Sequence, residues 1–160
     1  MMRTGDCLSD KAYRFIFTRT PRVCVDMLIT DPHHRVLMTR RNIEPYRGQW
    51  HLPGGAVRKG ETFSIAAQRI ALRELGVMVY LHRLLMIDEL LSEGESGWHS
   101  ITHIHHCLLR DHHAPIRLNE AEADAWRWCD KVPDEPTVTF HRRAVAGYFT
   151  DLAASWEVKQ

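Results

Sequence analysis

Two glycines, one carboxylate and two arginines in the middle of the sequence have residue types and a spacing that could bind a metal ion and a phosphate group. Glycine adopts backbone conformations that are closed to other residues, so Gly54 and Gly55 could turn a carbonyl oxygen towards a cation. Glu74 offers a carboxylate, and protein-bound Mg²⁺ takes oxygen ligands, often one or two carboxylates together with substrate phosphates. Arg69 and Arg73 lie one helical turn apart, and guanidinium groups match phosphate oxygens. The pattern therefore predicts a site for a diphosphate and a metal ion.

Each of these features also has an ordinary structural explanation. A Gly-Gly pair before a helix is usually only a turn, and a helical glutamate with neighbouring arginines usually belongs to a solvated face. Taken singly, each feature is more often structural than functional. Their combination at this spacing favours the functional explanation.

A predicted helix from Thr62 to Leu75 must carry Glu74 and the arginines, because apolar residues recur there at helical spacing and Gly76 follows as a stop. The other predicted elements are strands at Arg22–Thr30 and Arg35–Arg41 (a hairpin), within 77–91, at 99–109 and around Trp126–Trp128, and an amphipathic helix within 140–156. This order predicts an α+β fold, an α/β/α sandwich in which helices cover a mixed sheet.

Length and composition limit the class of protein. The 160 residues suit one domain with a core over about 21–156, and 44% apolar with 26% charged residues is ordinary for a globular chain. A net charge of +1 provides no overall field that would recruit nucleic acid or a membrane. The N-terminal residues are charged, so we expect neither a signal peptide nor a membrane span. The widely spaced Cys7, Cys24, Cys107 and Cys129 argue against zinc and disulfide sites and favour a reducing cytoplasm.

The stretch from Gly55 to Val77 resembles the Nudix box, G-x5-E-x7-R-E-U-x-E-E-x-G-U, in which U is a bulky aliphatic residue. Six positions match in register: Gly55, Glu61, Arg69, Glu74, Gly76 and Val77. Ile70 and Arg73 stand where the box has glutamates, and Ala71 is small where a bulkier residue is usual. In ordinary members of this superfamily, the missing glutamates help to bind several metal ions and to activate water.

In these departures from the box the sequence resembles the GDP-mannose mannosyl hydrolase branch, whose box also keeps only the last of these helical glutamates. Outside the box, GQWHLPGG at 48–55 is similar to that branch's Gly-aromatic-Trp-x-x-Pro-Gly-Gly segment. Further correspondences are Pro21, Asp26, Arg41, Pro45 and the tripeptide Trp126–Trp128. The resemblance implies a Nudix fold and Mg²⁺-dependent hydrolysis of a nucleoside diphosphate sugar, with GDP-mannose or GDP-glucose as the first substrates to consider.

The resemblance also implies which residues bind the metal. The carbonyl of Gly54 and the carboxylate of Glu74 hold a single Mg²⁺, with Mn²⁺ as an alternative ion. A third ligand comes from the loop before the Trp126–Trp128 tripeptide. Aligned on that tripeptide, the position is Glu122, where the mannosyl hydrolases have glutamine.

Substrate binding and the reaction are implied in the same way. Arg41 and Arg69 hold the diphosphate, and Asp26 contacts the substrate. In that branch water attacks the anomeric carbon of the sugar, with inversion. The metal and the arginines stabilise the departing nucleoside diphosphate, and one metal suffices because no phosphorus centre is attacked.

The general base is the main departure from the branch, because Ala123 stands where the branch has a histidine. Such an attack normally needs a base to activate water. The histidine-rich strand offers His103 and His105 on one face and His106 on the other, and we take His103 as the first candidate. These histidines also have an ordinary explanation as surface or edge-strand residues. Glu122 and Asp124 are the other candidate bases.

Two alternatives stay open. An ordinary Nudix pyrophosphohydrolase would attack phosphorus; the missing glutamates speak against it and the retained Glu122 speaks for it. A non-catalytic nucleotide-sugar binding module is favoured by Ala123 and Ile70. In every case the expected partner is a small nucleotide sugar rather than nucleic acid or a membrane, and homodimers are common in the resembling family.

Overall fold

The computed structural model describes residues 9–91 and 99–157. The elements of these residues, in chain order, are α1 (Asp10–Phe17), β1 (Arg22–Thr30), β2 (Val36–Arg41), β3 (Trp50–His51), β4 (Gly54–Ala56), α2 (Phe63–Leu75), β5 (Val79–Leu91), β6 (His99–Leu109), β7 (Ala123–Cys129) and α3 (Thr139–Glu157). Cys7 and the predicted loop at 92–98 lie outside the described residues, as does the side chain of Trp156.

The strands form one mixed sheet. The main path runs β3-β2-β1-β6-β5, with β4 paired to β1 and β7 paired to β2. β1 runs parallel to β6 and antiparallel to β2 and β4, so it lies at the centre of the sheet. The expected hairpin is present, but β1 and β2 are in register only at Thr30 and Val36, and β2 pairs mainly with β7.

The sheet has a helix on each face, which confirms the predicted α/β/α sandwich. Alternation along β1 directs Val25, Met27 and Ile29 to the core under α2, while Leu28 points to the core under α3. The residues that α2 contributes are Ala66, Ala67, Ile70, Ala71 and Leu75. The buried residues that α3 contributes are Ala144, Val145 and Tyr148.

Helix α2 has the predicted ends. The Thr62 hydroxyl caps its start by accepting from the Ile65 amide at 3.2 Å. Gly76 ends the helix with a left-handed φ of 67°, and its N–H donates to the Leu72 carbonyl. Ile70, which stands at a glutamate position of the box, is fully buried in the core. It therefore contributes packing at a position where the box supplies a carboxylate.

Two elements differ from the prediction. Gly54 and Gly55 do not form a turn with unusual backbone angles; they lie in β4, opposite Asp26 and Val25, and neither has a positive φ. Helix α1 has no counterpart among the predicted elements. It is only eight residues long, and none of its side chains with described burial is buried; Phe15 and Ile16 are 62% and 37% exposed.

The described residues bear on two of the expectations, those about membrane spans and disulfides. None of the described helices has the length and apolar content needed to cross a membrane. Cys24, Cys107 and Cys129 are buried and form no disulfide with one another.

Candidate functional site

The loop between β6 and β7 brings Glu122 to the end of α2. The Asn119 amide donates to the Glu74 carbonyl at 2.9 Å, and the Glu122 amide donates to the Asn119 carbonyl at 3.0 Å. On the other side, the Asn42 amide donates to the Glu122 carbonyl at 2.9 Å. Backbone hydrogen bonds to both α2 and the segment after β2 therefore fix the position of Glu122.

A cleft opens where α2, this loop and the ends of β2 to β4 meet. Its lining residues are Thr39, Arg41, His51, Gly54, Glu74, Leu118, Asn119, Glu122 and Ala123. The three residues predicted as metal ligands, Gly54, Glu74 and Glu122, all belong to this set. Arg41, predicted to bind the diphosphate, lines the same cleft.

Arg73 lies between the two carboxylates of the cleft. Its Nη2 donates to Glu74 Oε1 at 2.7 Å, and its Nε is 3.3 Å from Glu122 Oε1. The Glu74 side chain is 9% exposed, whereas those of Glu122 and Arg73 are 32% and 43% exposed. The guanidinium thus connects a buried carboxylate to one nearer the solvent.

The Glu74 carboxyl has a pKa raised to about 7. Burial is the largest cause, and the negative charge of Glu122 adds to it, while the hydrogen bond and charge of Arg73 oppose the rise. The buried carboxylate is therefore incompletely compensated by Arg73 alone. Additional positive charge next to it would stabilise its ionised form.

Arg41 faces the same carboxylates from β2. Burial lowers its pKa, although the charges of Glu74, Glu122 and Asp26 act in the opposite direction. Its Nε donates to the Pro45 carbonyl at 2.7 Å, which fixes the side chain beside the cleft. An arginine held in this way can pair with an anionic ligand without much further ordering.

Gly54 is required here for space. A Cβ added at Gly54 would lie 1.7 Å from Asp26 Oδ1 and 2.8 Å from the Val25 carbonyl oxygen. Asp26 is buried, and its Oδ2 is hydrogen-bonded to His141 Nε2 at 3.0 Å. Asp26 is therefore directed to α3 and to the Gly54 backbone. It is not among the cleft-lining residues, although the sequence analysis expected it to contact the substrate.

Arg69 and Glu61 form a two-point ion pair beside the cleft. Arg69 Nε and Nη2 donate to the two Glu61 oxygens at 2.7 and 2.8 Å, and Nη2 also donates to the Ala56 carbonyl at 3.0 Å. The hydrogen bond with Arg69 is the main reason why the pKa of Glu61 is lowered. The structure does not bring Arg69 into the cleft, since its guanidinium joins β4 and the following loop to α2.

The family profile described as NUDIX domain matches residues 20–146, which include every strand and the whole of α2. The chain belongs to the NUDIX domain family. The predicted superfamily is thereby confirmed, and the comparisons support the assignment of this Nudix protein as a hydrolase.

Solved structures share this Nudix fold. The chain is similar to the MutT NUDIX hydrolase of Burkholderia pseudomallei, with 27% identity, a TM-score of 0.65 and coverage of 79% of this chain and 97% of that one. It also matches the NUDIX domain of NrtR from Shewanella oneidensis, solved with ADP ribose, with 19% identity, a TM-score of 0.64 and coverage of 91% and 94%. The second likeness concerns the fold alone.

One curated relative is similar over part of its length. The low-salt glycan biosynthesis protein Agl8 of Haloferax volcanii is 40% identical over 78 residues, which is 49% of this chain and 49% of that protein. The match thus spans about half the length of the relative.

His51 and Thr39 were missed in the sequence and line the Nudix cleft. His51 Nδ1 lies 2.7 Å from the Leu52 carbonyl oxygen and therefore carries the proton, so its Nε2 can accept from the Thr39 hydroxyl at 3.1 Å. Burial and the charges of His141 and Arg41 hold the pKa of His51 well below its usual value. The only signal in the sequence is that His51 lies two positions before the Pro-Gly-Gly segment.

His103, the candidate base, lies elsewhere on the sheet. It is opposite Val25 of β1 and Ile87 of β5, and its ring packs on Phe63 of α2 with the centroids 4.4 Å apart. It is not one of the residues that line the cleft. Its Nδ1 is buried and has no hydrogen-bond partner among the described residues.

The donor set of the cleft fits one hard cation. It offers two carboxylates, Glu74 and Glu122, and the backbone of Gly54, which suits Mg²⁺ or Mn²⁺. The convergence of Glu122 on the buried carboxylate of Glu74, whose side chain is 9% exposed, concentrates negative charge and favours a cation there. Among the described residues, no group of three or more His, Cys, Asp or Glu side chains could hold a metal by itself.

Proposed function

We propose that this Nudix protein hydrolyses a nucleoside diphosphate sugar with the help of one Mg²⁺, and that water attacks the anomeric carbon of the sugar. The products are the free sugar and the nucleoside diphosphate. The observation that carries the proposal is the composition of the cleft: among the described residues Glu74 is its only helical carboxylate, Arg73 joins Glu74 to Glu122, and Arg73 occupies the position of a box glutamate.

The charge distribution in the cleft supports attack at carbon. Attack on phosphorus brings a nucleophile towards an anionic centre, and Nudix enzymes usually meet this with several metals held by several glutamates. Attack at the anomeric carbon instead places new negative charge on the departing diphosphate. A bound metal would neutralise part of that charge. Arg41, fixed beside Glu74 and Glu122, supplies a further positive charge from the chain itself.

In this proposal each residue has a stated role. Gly54, Glu74 and Glu122 hold the metal, and Arg41 pairs with the diphosphate. Arg69 is a positioning residue, since its bonds to Glu61 and to the Ala56 carbonyl connect the loop before α2 to the helix. This is a revision of the expected contact between Arg69 and the diphosphate.

The general base must lie within reach of a water in the cleft. Ala123 cannot serve, and His103 is directed to Phe63. His51 is the histidine that lines the cleft, but burial and the charges of His141 and Arg41 hold its pKa well below the usual value, which disfavours uptake of a proton. Of the two carboxylates expected as alternative bases, Glu122 lines the cleft and Asp124 does not. We therefore place Glu122 ahead of His103 as the candidate base.

The substrate class follows from the family resemblance. GDP-mannose and GDP-glucose are the first substrates to test, because the box departs from the ordinary pattern in the way that the mannosyl hydrolase branch does. The partial match to a glycan biosynthesis protein also supports a nucleotide sugar as the substrate.

Two other functions are each favoured by a particular residue. Glu122 is a carboxylate where the mannosyl hydrolases have glutamine, and an additional acid favours a pyrophosphohydrolase. Ala123 in place of the branch's histidine favours a module that binds a nucleotide sugar without turning it over.

A panel of nucleotide sugars incubated with Mg²⁺ tests the proposal through the identity of the products. Free sugar and nucleoside diphosphate support it. Sugar phosphate with nucleoside monophosphate selects the pyrophosphohydrolase, and binding without products selects the binding module. The Glu74→Gln variant is the control, because an activity that survives this change does not come from the cleft.

A further inference from the structure

Arg73 contacts both carboxylates that are proposed to hold the metal. Its guanidinium is bonded to Glu74 Oε1 at 2.7 Å, and it lies within 3.3 to 3.4 Å of both Glu122 oxygens. A Cβ added at Gly55 would lie 3.9 Å from Arg73 Nη2, so the guanidinium is also close to β4. The same carboxylates that are predicted to hold the metal are therefore already held by a cation of the chain.

A metal and this guanidinium compete for the same carboxylates. Mg²⁺ binds carboxylate oxygens at about 2.0–2.1 Å, and Arg73 contacts Glu74 Oε1 and both Glu122 oxygens. Two positive charges a few ångströms apart also repel each other in a partly buried cleft. Binding of a metal should therefore weaken the contacts of Arg73 with these carboxylates.

The displaced guanidinium would need another anion. Arg73 is 43% exposed, so its side chain can move towards the solvent side of the cleft without opening the core. A diphosphate bound next to the metal would present oxygens that suit an arginine fork. The same side chain can thus neutralise the carboxylates in the empty cleft and the diphosphate in the filled one.

We propose that Arg73 is an internal counter-ion that couples metal binding to diphosphate binding. Without ligand it competes with the metal for Glu74 and Glu122, which weakens metal binding. When a diphosphate is present, Arg73 transfers to it, and the metal binds more tightly. This inference rests on the proposed function for its choice of ligands, but it concerns affinities and not turnover. Arg73 is in this sense a positioning residue.

Titration of the full chain with Mn²⁺, followed by the electron paramagnetic resonance signal of the free ion, tests the inference. The proteins are the wild type, Arg73→Ala, Arg73→Lys and Arg40→Ala, each with and without saturating GDP, and a protein-free titration accounts for Mn²⁺ bound to GDP. Arg40 is the matched control, since it is also 43% exposed and paired with a carboxylate, Asp124, outside the cleft lining. Circular dichroism verifies that each variant is folded.

We expect Arg73→Ala to bind Mn²⁺ about tenfold more tightly than the wild type in the absence of GDP, because a competing charge has been removed. GDP should increase the affinity of the wild type for Mn²⁺ and have a smaller effect on Arg73→Ala. Arg73→Lys, which keeps the charge, should stay closer to the wild type, and Arg40→Ala should match it.

Equal affinities of the wild type and Arg73→Ala would overturn the inference and leave the proposed metal site intact. The same increase in Arg40→Ala would also overturn it, because the effect would then be one of net charge. If no protein binds Mn²⁺ with or without GDP, the metal site and the role of Arg73 are both refuted.

Discussion

Replacing Arg69 by alanine should destabilise the fold far more than it weakens substrate binding. The change removes three hydrogen bonds, two to Glu61 and one to the Ala56 carbonyl. It also leaves the Glu61 carboxylate, only 15% exposed, without its ion-pair partner Arg69, although the Arg58 amide still donates a hydrogen bond to it. The loop between β4 and α2 thereby loses its ion pair with the helix.

The size of the effect follows from the burial of the pair. Removing one partner of a buried ion pair costs about 3–5 kcal/mol. Since both side chains keep some exposure, 16% for Arg69 and 15% for Glu61, we take the lower end, about 3 kcal/mol. For a chain of 160 residues each kcal/mol lowers Tm by about 2–4 °C, so Tm should fall by about 6–12 °C.

The effect should depend on pH. The folded-state pKa of Glu61 is below its ordinary value, so its pairing stabilises the fold above the unfolded-state pKa and ceases to do so as the pH falls through the folded-state pKa. The difference in unfolding free energy between the wild type and Arg69→Ala should therefore be full above about pH 5 and should shrink in more acid solution.

Urea denaturation over a pH series and differential scanning calorimetry measure both quantities. Arg40→Ala is the control, since its pair with Asp124 is exposed and screened by solvent and should contribute little to the free energy of unfolding. The reasoning is refuted if Arg69→Ala unfolds like the wild type while its KM for the substrate rises, because Arg69 would then serve the diphosphate directly.

Three further changes test the cleft. Glu74→Gln should lose most Mg²⁺-dependent turnover and keep the circular dichroism spectrum of the wild type, because no other helical carboxylate lines the cleft among the described residues; near-normal turnover would contradict this. Glu122→Gln should lower the pKa of Glu74 below about 7, as measured by ¹³C NMR, since the Glu122 charge raises it, and an unchanged pKa would speak against their proximity. Gly54→Ala should cost about 1–3 kcal/mol in urea denaturation because its Cβ would overlap Asp26, whereas Gly55→Ala, with an ordinary 3.5 Å contact, should cost less; equal losses would contradict the steric explanation.

Elements with a regular pattern of apolar residues and a glycine at their end could be predicted from the sequence. Helix α2 has a buried stripe and a left-handed Gly76 at its end, and both are local properties. Helix α1 could not be predicted in this way, because its eight residues are fewer than the about 11–18 over which helical periodicity becomes clear. The expected homodimer stays a prediction.

The candidate site was predictable as far as its residues follow the family resemblance. Glu74 lies in the box, whereas Glu122 was aligned on the Trp126–Trp128 tripeptide, and both line the same cleft. Two ion pairs could not be predicted, because each depends on the direction in which a side chain leaves its helix or strand. These pairs are Arg69 with Glu61 and Asp26 with His141. Arg73 was expected beside Glu74, but its position between two carboxylates arises from the loop that carries Glu122.

Hydrolysis in ¹⁸O-labelled water, with the products analysed by mass spectrometry, distinguishes attack at carbon from attack at phosphorus. Among the described residues the cleft has one helical carboxylate, and its charges suit a departing diphosphate, so we expect the label in the free sugar and not in the nucleoside diphosphate. Label in a phosphate product would refute attack at the anomeric carbon, because water would then attack phosphorus and other residues would have to replace the missing box glutamates.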